Sequence, residues 1–366
     1  MTMLSLKSLA ETLREPGPWC TVHAEVSTGT VATHEATEVL ANNVSRAVTE
    51  AGGSDADARA AEQLQWAAIG EPGPVSRFVL IRNGQVVVNE LLPGAPGRPV
   101  VEVGPIPDLL PLAEVQNTDV EYLLVQAERA DAEIGRYRAS ARSALGSEEL
   151  HGETENLTKV PLGGYSQGKY QHRTEEVWRR NGADVAAEVN RLVEEGGVQL
   201  VVLAGDERAR LMVQEALSER AAGLAQAVDM NSSAPGADQE RFAEEVDAVV
   251  AETAGRRAQD ALTRVADGIG RSSAGGWAET VNALREARVG TLVLCPEAIQ
   301  GKSLLALGAE PWIAESEDGA VGAPPLGEAD AAAALLRAAV LTNADTVLVP
   351  SGALDGGSAA AALLRW

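Results

Sequence analysis

One stretch gathers the residue types that do chemistry. From Lys159 to Arg180 it reads K-V-P-L-G-G-Y-S-Q-G-K-Y-Q-H-R-T-E-E-V-W-R-R. Five cations (Lys159, Lys169, Arg173, Arg179, Arg180) stand against two acids (Glu175, Glu176), in a chain whose formal net charge is −23. Glycines such as Gly163 and Gly164 let a backbone approach a partner closely. Lys169, His172 and Arg173 are suited to phosphate contacts, and Tyr165 and Tyr170 to stacking on bases exposed in folded RNA. With Ser166, Gln167 and Gln171 among them, residues 163–173 read either as an RNA-contacting loop on an acidic body or as a surface connection with incidental charge.

The same stretch contains Gly164-Tyr165-Ser166-Gln167-Gly168, which matches the G-x-S-x-G nucleophile elbow. That motif needs a strand before the serine and a histidine later in the chain. Here Pro161 interrupts the preceding segment. His172, the sole histidine after Ser166, is six positions on, where a rigid helix start does not fold it back. Gly301-Lys302-Ser303 resembles the tail of a phosphate loop, but Pro296 occupies the position of the leading glycine, so a polar turn is expected. His23, His34 and His151 lack ligand spacing, and Cys20 and Cys295 form no Cys-x-x-Cys pair, so no metal, disulfide framework or cofactor is expected. Cys295 follows an apolar run and reads as a small buried residue.

The elements that position this loop follow from periodicity. Leu4–Leu13, His34–Ala51 and Asp55–Ala68 read as helices, and Trp19–Val26 as a strand. Phe78–Ile81, Asn83-Gly84 and Val86–Val88 read as a hairpin. Tyr122–Val125 and the segment through Ile134 and Tyr137 are strands, and Ser140–Thr158 is a polar stretch leading to the loop. Thr174–Glu195 is a helix with Trp178, Val185, Val189, Leu192 and Val193 on one face, ended by Gly196-Gly197. Val198–Leu203 is a central strand, and Asp206 caps the next helix. Ser232–Gln239 is a break, followed by a long helix over Phe242–Ile269. Trp277–Ala287 and Ala329–Ala344 are helices, and Thr291–Leu294 and Thr346–Val349 are strands. The fold class is α/β with an α+β N-terminal part, in three domains (1–116, 117–272 and 273–366) with mixed sheets flanked by helices.

Composition bounds the rest. The chain has 366 residues and is 45% hydrophobic but only 3% aromatic, so its cores are built from Ala, Val and Leu. A pI near 4.6 argues against general nucleic-acid binding, yet leaves room for a local basic footprint. No signal-peptide pattern and no apolar run of roughly 18 residues is present, so a cytoplasmic protein with no membrane span is expected.

Three stretches resemble the archaeo-eukaryotic peptide-chain release factor superfamily, which includes Pelota. They are Gly163-Gly164-Tyr165-Ser166-Gln167 with Tyr170-Gln171-His172-Arg173; Gly275-Gly276-Trp277 through Val289-Gly290-Thr291-Leu292-Val293-Leu294; and the ending Gly356-Gly357 to Leu364-Arg365-Trp366. The likeness covers about the last two-thirds of the chain and is similar to the bacterial branch, in particular to the Balon-type ribosome hibernation factors of actinobacteria. It implies a monomer binding the vacant A site of the 70S ribosome, against 23S and 16S rRNA, and inhibiting translation in the stress response. The first domain would lie near the decoding centre, the middle domain would reach toward the peptidyl-transferase centre, and the third would sit near elongation factor Tu. True release factors carry a contiguous Gly-Gly-Gln whose glutamine places a water on the peptidyl ester. Here Tyr165 and Ser166 separate Gly164 from Gln167, shifting the glutamine by several ångströms. No catalytic activity is therefore expected; the alternative is a peptidyl-tRNA hydrolase or rescue factor using Gln167. The first region lacks Asn-Ile-Lys-Ser, so stop-codon reading is not implied.

Overall fold

The computed structural model describes residues 4–27, 34–68, 74–96, 99–128, 131–151, 167–229 and 238–366. The chain divides into two compact units, one of residues 118–255 and one composed of 2–117 with 256–366.

The composite unit begins with two 3₁₀ turns, Leu6–Leu9 and Thr12–Arg14, where the spacing predicts one helix. Strands β1 (Trp19–Glu25), β2 (Val75–Arg82), β3 (Gln85–Pro93) and β4 (Val100–Gly104) form an antiparallel sheet of order β3-β2-β1-β4. The β2–β3 turn places Asn83 and Gly84 at φ 51° and 74°, the positive values a tight hairpin turn requires. One face of this sheet, through Cys20, Val22 and Ala24, packs on α1 (His34–Glu50) and α2 (Asp55–Glu62). Helix α2 is shorter than expected. Gln63 ends it, and the chain turns so that the fully buried Trp66 donates from Nε1 to the Ala61 carbonyl at 2.8 Å. Helix α3 (Leu110–Thr118) closes this segment.

The unit 118–255 is a βαβ arrangement with an inserted hairpin. Strands β5 (Glu121–Ala127), β6 (Asp131–Arg138), β7 (Ala141–His151), β8 (Leu200–Gly205) and β9 (Ala225–Ala227) form a mixed sheet of order β7-β6-β5-β8-β9. The pairs β5–β8 and β8–β9 are parallel, and β5–β6 and β6–β7 antiparallel. Every residue of β8 is buried, as a central parallel strand covered on both faces should be. One face packs Val201 and Leu203 against α4 (Gln167–Glu195) and α5 (Glu207–Ala216). Short helix α6 (Glu219–Leu224) adds Ala221 to that core. The other face packs Val202 and Ala204 against Phe242, Val246 and Val250 of α7 (Gln239–Gly268). The predicted break at Ser232–Gln239 falls largely outside the described residues.

In the C-terminal segment, β10 (Ser273–Gly275), β11 (Val289–Leu294), β15 (Asp345–Leu348) and β16 (Ala360–Leu364) form a sheet of order β10-β16-β11-β15. Strands β12 (Ser303–Leu307), β13 (Ile313–Ala314) and β14 (Pro325–Asp330) form a second small sheet that the periodicity does not reveal. Helices α8 (Trp277–Arg285), α9 (Pro296–Ile299) and α10 (Ala331–Leu341) complete the segment, and every residue of α10 is buried. Leu6, Leu13, Trp19 and Phe78 share one core with Leu284, Leu292 and Leu335, so the first and last segments fold as one unit. The expected boundaries 116/117 and 272/273 compare with divisions at 117/118 and at 255/256, the second within α7.

Candidate functional site

The candidate stretch connects β7, at the edge of the five-stranded sheet, to α4. Of its ten residues, Gly163, Gly164, Tyr165 and Ser166 lie outside the described residues. Gln167, Lys169, Tyr170, Gln171, His172 and Arg173 form the first two turns of α4, which starts seven residues before the predicted Thr174. Lys169 and Arg173 are four apart and therefore share one side of the helix.

Helix α4 has 29 residues, a length of about 43 Å. Its C-terminal half is anchored: Val185, Val189 and Val193 are buried in the sheet core, and Leu192 is partly buried against it. Trp178, predicted on the same face, is half-buried. At Gly182 a Cβ would come within 2.9 Å of the Met212 Cβ on α5, so the absence of a side chain sets the closest helix–helix approach. The Asn190 Oδ1 accepts from the Ser218 backbone N–H at 2.9 Å. Gln167 lies 15 residues before Gly182, roughly 22 Å along the axis.

The anchor is reinforced by a charged network that the sequence reading did not single out. Glu121, only 8% exposed, accepts from Arg136 Nε at 2.7 Å and from Arg138 Nη2 at 2.8 Å, and Arg136 Nη2 also bonds it. Arg136 Nη2 donates to the Gly196 carbonyl at 2.9 Å, immediately beyond α4. Burial pushes the Glu121 carboxyl up, but the bonds and charges of Arg138 and Arg136 outweigh it and hold it below the usual carboxylate range. The signal was two arginines at alternate positions of a strand paired with one beginning in Glu121.

The N-terminal end of α4 is electrostatically the reverse. Its first turn carries no acidic residue and includes Lys169, so no carboxylate of that turn offsets the partial positive charge of a helix N-terminus.

Among the other candidates, His23, Lys302, Cys20 and Cys295 have structural roles. His23 Nε2 lies 2.9 Å from Ser76 Oγ, and burial lowers the imidazole pKa, so the ring is a neutral packed side chain. The side chains of His34, in α1, and His151, in β7, fall outside the description. Lys302 lies 4.9 Å from the centroid of the Trp277 ring in the turn before β12, consistent with a polar turn. Cys295 is buried as expected; Cys20 is also buried, and burial, with the charge of Asp57, pushes its thiol up to about 12. Ser166 lies outside the described residues, while His172 lies within the helix. Among the described residues no His, Cys, Asp or Glu group is arranged to hold a metal, and no helix is long and apolar enough to cross a membrane.

Comparison with known proteins adds the following. Mycobacterium tuberculosis proteins Rv2629 (strain ATCC 25618 / H37Rv) and MT2704 (strain CDC 1551 / Oshkosh), both uncharacterized, are each 28% identical over 235 residues, 62% of this chain. The match spans 60% of the length of these relatives. Among solved structures, Pelota from Archaeoglobus fulgidus is 15% identical, with a TM-score of 0.35 over 100% of this chain and 94% of that one. S. cerevisiae Dom34 is 8% identical, with a TM-score of 0.39 over the same shares. Residues 121–271, which contain the sheet, α4 and the whole candidate stretch, match the model of the bacterial archaeo-eukaryotic release factor family 2. That match makes residues 121–271 similar to the bacterial archaeo-eukaryotic release factors.

Proposed function

We propose that this chain is a ribosome hibernation factor: it binds the vacant A site of the 70S ribosome and inhibits translation under stress without releasing peptide. The observation that carries the reading is the sequence of the β7–α4 connection within a release-factor segment. Gly163 and Gly164 are followed by Tyr165 and Ser166 before Gln167, and cations open the helix. In this reading Lys169, His172 and Arg173 contact rRNA phosphates. Gly163 and Gly164 allow the close approach, and Tyr165 and Tyr170 stack or pack. Residues 1–116 lie near the decoding centre and 273–366 face elongation factor Tu.

A second reading keeps Gln167 as the water-orienting residue of a peptidyl-tRNA hydrolase or rescue factor. It is favoured by Gln167 being the first residue of α4. Catalytic positioning tolerates errors of only about 1 Å, and the two inserted residues exceed that unless the connection is rearranged.

Co-sedimentation of the full chain with vacant 70S ribosomes, at low and moderate salt and with and without elongation factor Tu, tests the first reading. Wild type should pellet with ribosomes in a salt-dependent manner and Lys169→Ala/Arg173→Ala should not. Absence of wild-type binding under every condition sinks it. Turnover of peptidyl-tRNA by wild type, lost in Gln167→Ala with binding retained, would instead select the hydrolase.

A further inference from the structure

The composite unit holds a cleft of about 710 Å³, built without any residue of the 159–180 stretch. Its walls are the C-terminal half of α7, the Gly275–Gly276 approach to α8, and residues of the turn from Ala353 to Ser358. Buried Val265, Leu354 and Ala361 supply an apolar floor, and Ile269 stands 52% exposed. Gly276 has φ 88°, and a Cβ there would meet nothing closer than Ser358 Oγ at 3.9 Å, so the main chain is open to an approaching backbone.

The charge of this cleft is one-sided. Asp267, Glu279 and Asp355 line it, and no Lys, Arg or His does. None of the three forms an ion pair among the described residues. Glu279 Oε2 accepts from the Gly275 N–H at 3.0 Å, while Arg271 bonds the main-chain oxygen of Asp267 at 3.0 Å and is not part of the lining.

We infer that this cleft binds a basic amphipathic peptide segment of a partner protein. Its apolar side chains rest on the Val265–Leu354–Ala361 floor, and its lysines or arginines meet Asp267, Glu279 and Asp355. Charge complementarity decides the occupant. A phosphate-bearing or acidic ligand meets carboxylates with no compensating cation. A small polyamine satisfies the charges but leaves the apolar floor in water. A second copy of this chain, at −23, has the wrong overall sign. The site is separate from the proposed rRNA contact and does not depend on it.

The probe is a fluorescein-labelled decapeptide of alternating lysine and leucine, titrated with the full chain and followed by anisotropy. Asp267→Asn/Asp355→Asn should weaken binding about tenfold. Ala266→Trp, at a lining position of α7 that is exposed, should weaken it with all three carboxylates intact. Glu240→Gln/Glu244→Gln, at exposed positions near the start of the same helix, should leave it unchanged. Peptides with glutamate for lysine, or serine for leucine, should bind at least tenfold more weakly. Equal binding of the lysine–serine peptide, effective competition by spermidine, or the same affinity in all three variants would each overturn the inference. Unchanged melting curves establish that the variants are folded.

Discussion

Arg136 on β6 grips Glu121 at the head of β5 and with the same guanidinium holds the Gly196 carbonyl beyond α4. One side chain thus ties a strand pair to the end of the helix that, at its other end, carries the candidate stretch. Because the helix is rigid and long, fixing its C-terminal half directs its N-terminal turns.

Arg136→Ala should therefore destabilise the 118–255 unit by about 2 kcal/mol, because it leaves a mostly buried carboxylate with one arginine fewer and the Gly196 carbonyl without its donor. Faster hydrogen exchange in β5, β6 and the last turns of α4, with the composite unit unchanged, is the expected pattern. The depressed Glu121 pKa also fixes a sign. The folded state holds its proton less tightly than the unfolded state, so the stability is present above the ordinary glutamate pKa. It is lost as pH falls through the lower folded value. Glu121→Gln should flatten that acid limb.

Asp108 gives the opposite sign. Burial raises its carboxyl to about 6, with Glu102, Asp330 and Glu114 adding like charge against the lowering bond from the Leu110 N–H. A raised carboxyl binds its proton more tightly when folded, so stability falls as pH rises between the unfolded value and about 6. Asp108→Asn, which keeps an acceptor for the Leu110 N–H at the start of α3, should raise Tm by roughly 2–4 °C at pH 8. It should give a much smaller gain near pH 4.5, at the low end of that window. A gain of equal size at both would show that ionisation is not the cause.

Arg337 is 1% exposed in α10 and has no carboxylate partner in the described structure. Nε donates to the Leu13 carbonyl at 3.0 Å, Nη1 to the Leu307 carbonyl at 3.0 Å, and the guanidinium lies 5.6 Å from the Trp312 ring centroid. Arg337→Ala should cost about 3 kcal/mol through the cavity and two orphaned carbonyls. Arg337→Lys, able to serve one carbonyl well, should cost less. Urea melts followed by circular dichroism would rank the three proteins.

What was legible in the sequence is what local physics dictates. The Asn83-Gly84 turn, the apolar run into β8, the Asp206 cap and the α10 helix all appear where their residue types demand. The misses have causes of two kinds, tertiary context and weak local signals. Strand β7 reads A-R-S-A-L-G-S-E-E-L-H, with too little apolar alternation to mark a strand, because an edge position does not demand it. The β12–β14 sheet is interrupted by Gly308, Pro311 and Gly327, which read as loop punctuation. Helix α4 begins at Gln167 because Gln, Lys, Tyr, Gln, His and Arg are all helix-compatible and Gly168 alone is too small a penalty to stop it. The carboxylates of the α7–α8 cleft are far apart in sequence, so no motif gathers them.

The spacing between Gly164 and Gln167 supplies the last prediction. If Tyr165 and Ser166 are what separates a binding loop from a peptide-releasing one, their deletion recreates a Gly-Gly-Gln whose glutamine opens α4. Deleting two residues shortens the chain's reach by up to roughly 7 Å, far more than catalytic positioning tolerates in either direction. The deletion variant should acquire peptidyl-tRNA release on ribosomes with a peptidyl-tRNA in the P site, and Gln167→Ala in that background should abolish it. Wild type assayed in parallel should bind without releasing peptide. Release by wild type at the variant's rate would mean that the inserted pair does not control the glutamine. A variant that binds normally and releases nothing would move the determinant out of this spacing and into the residues on either side of it.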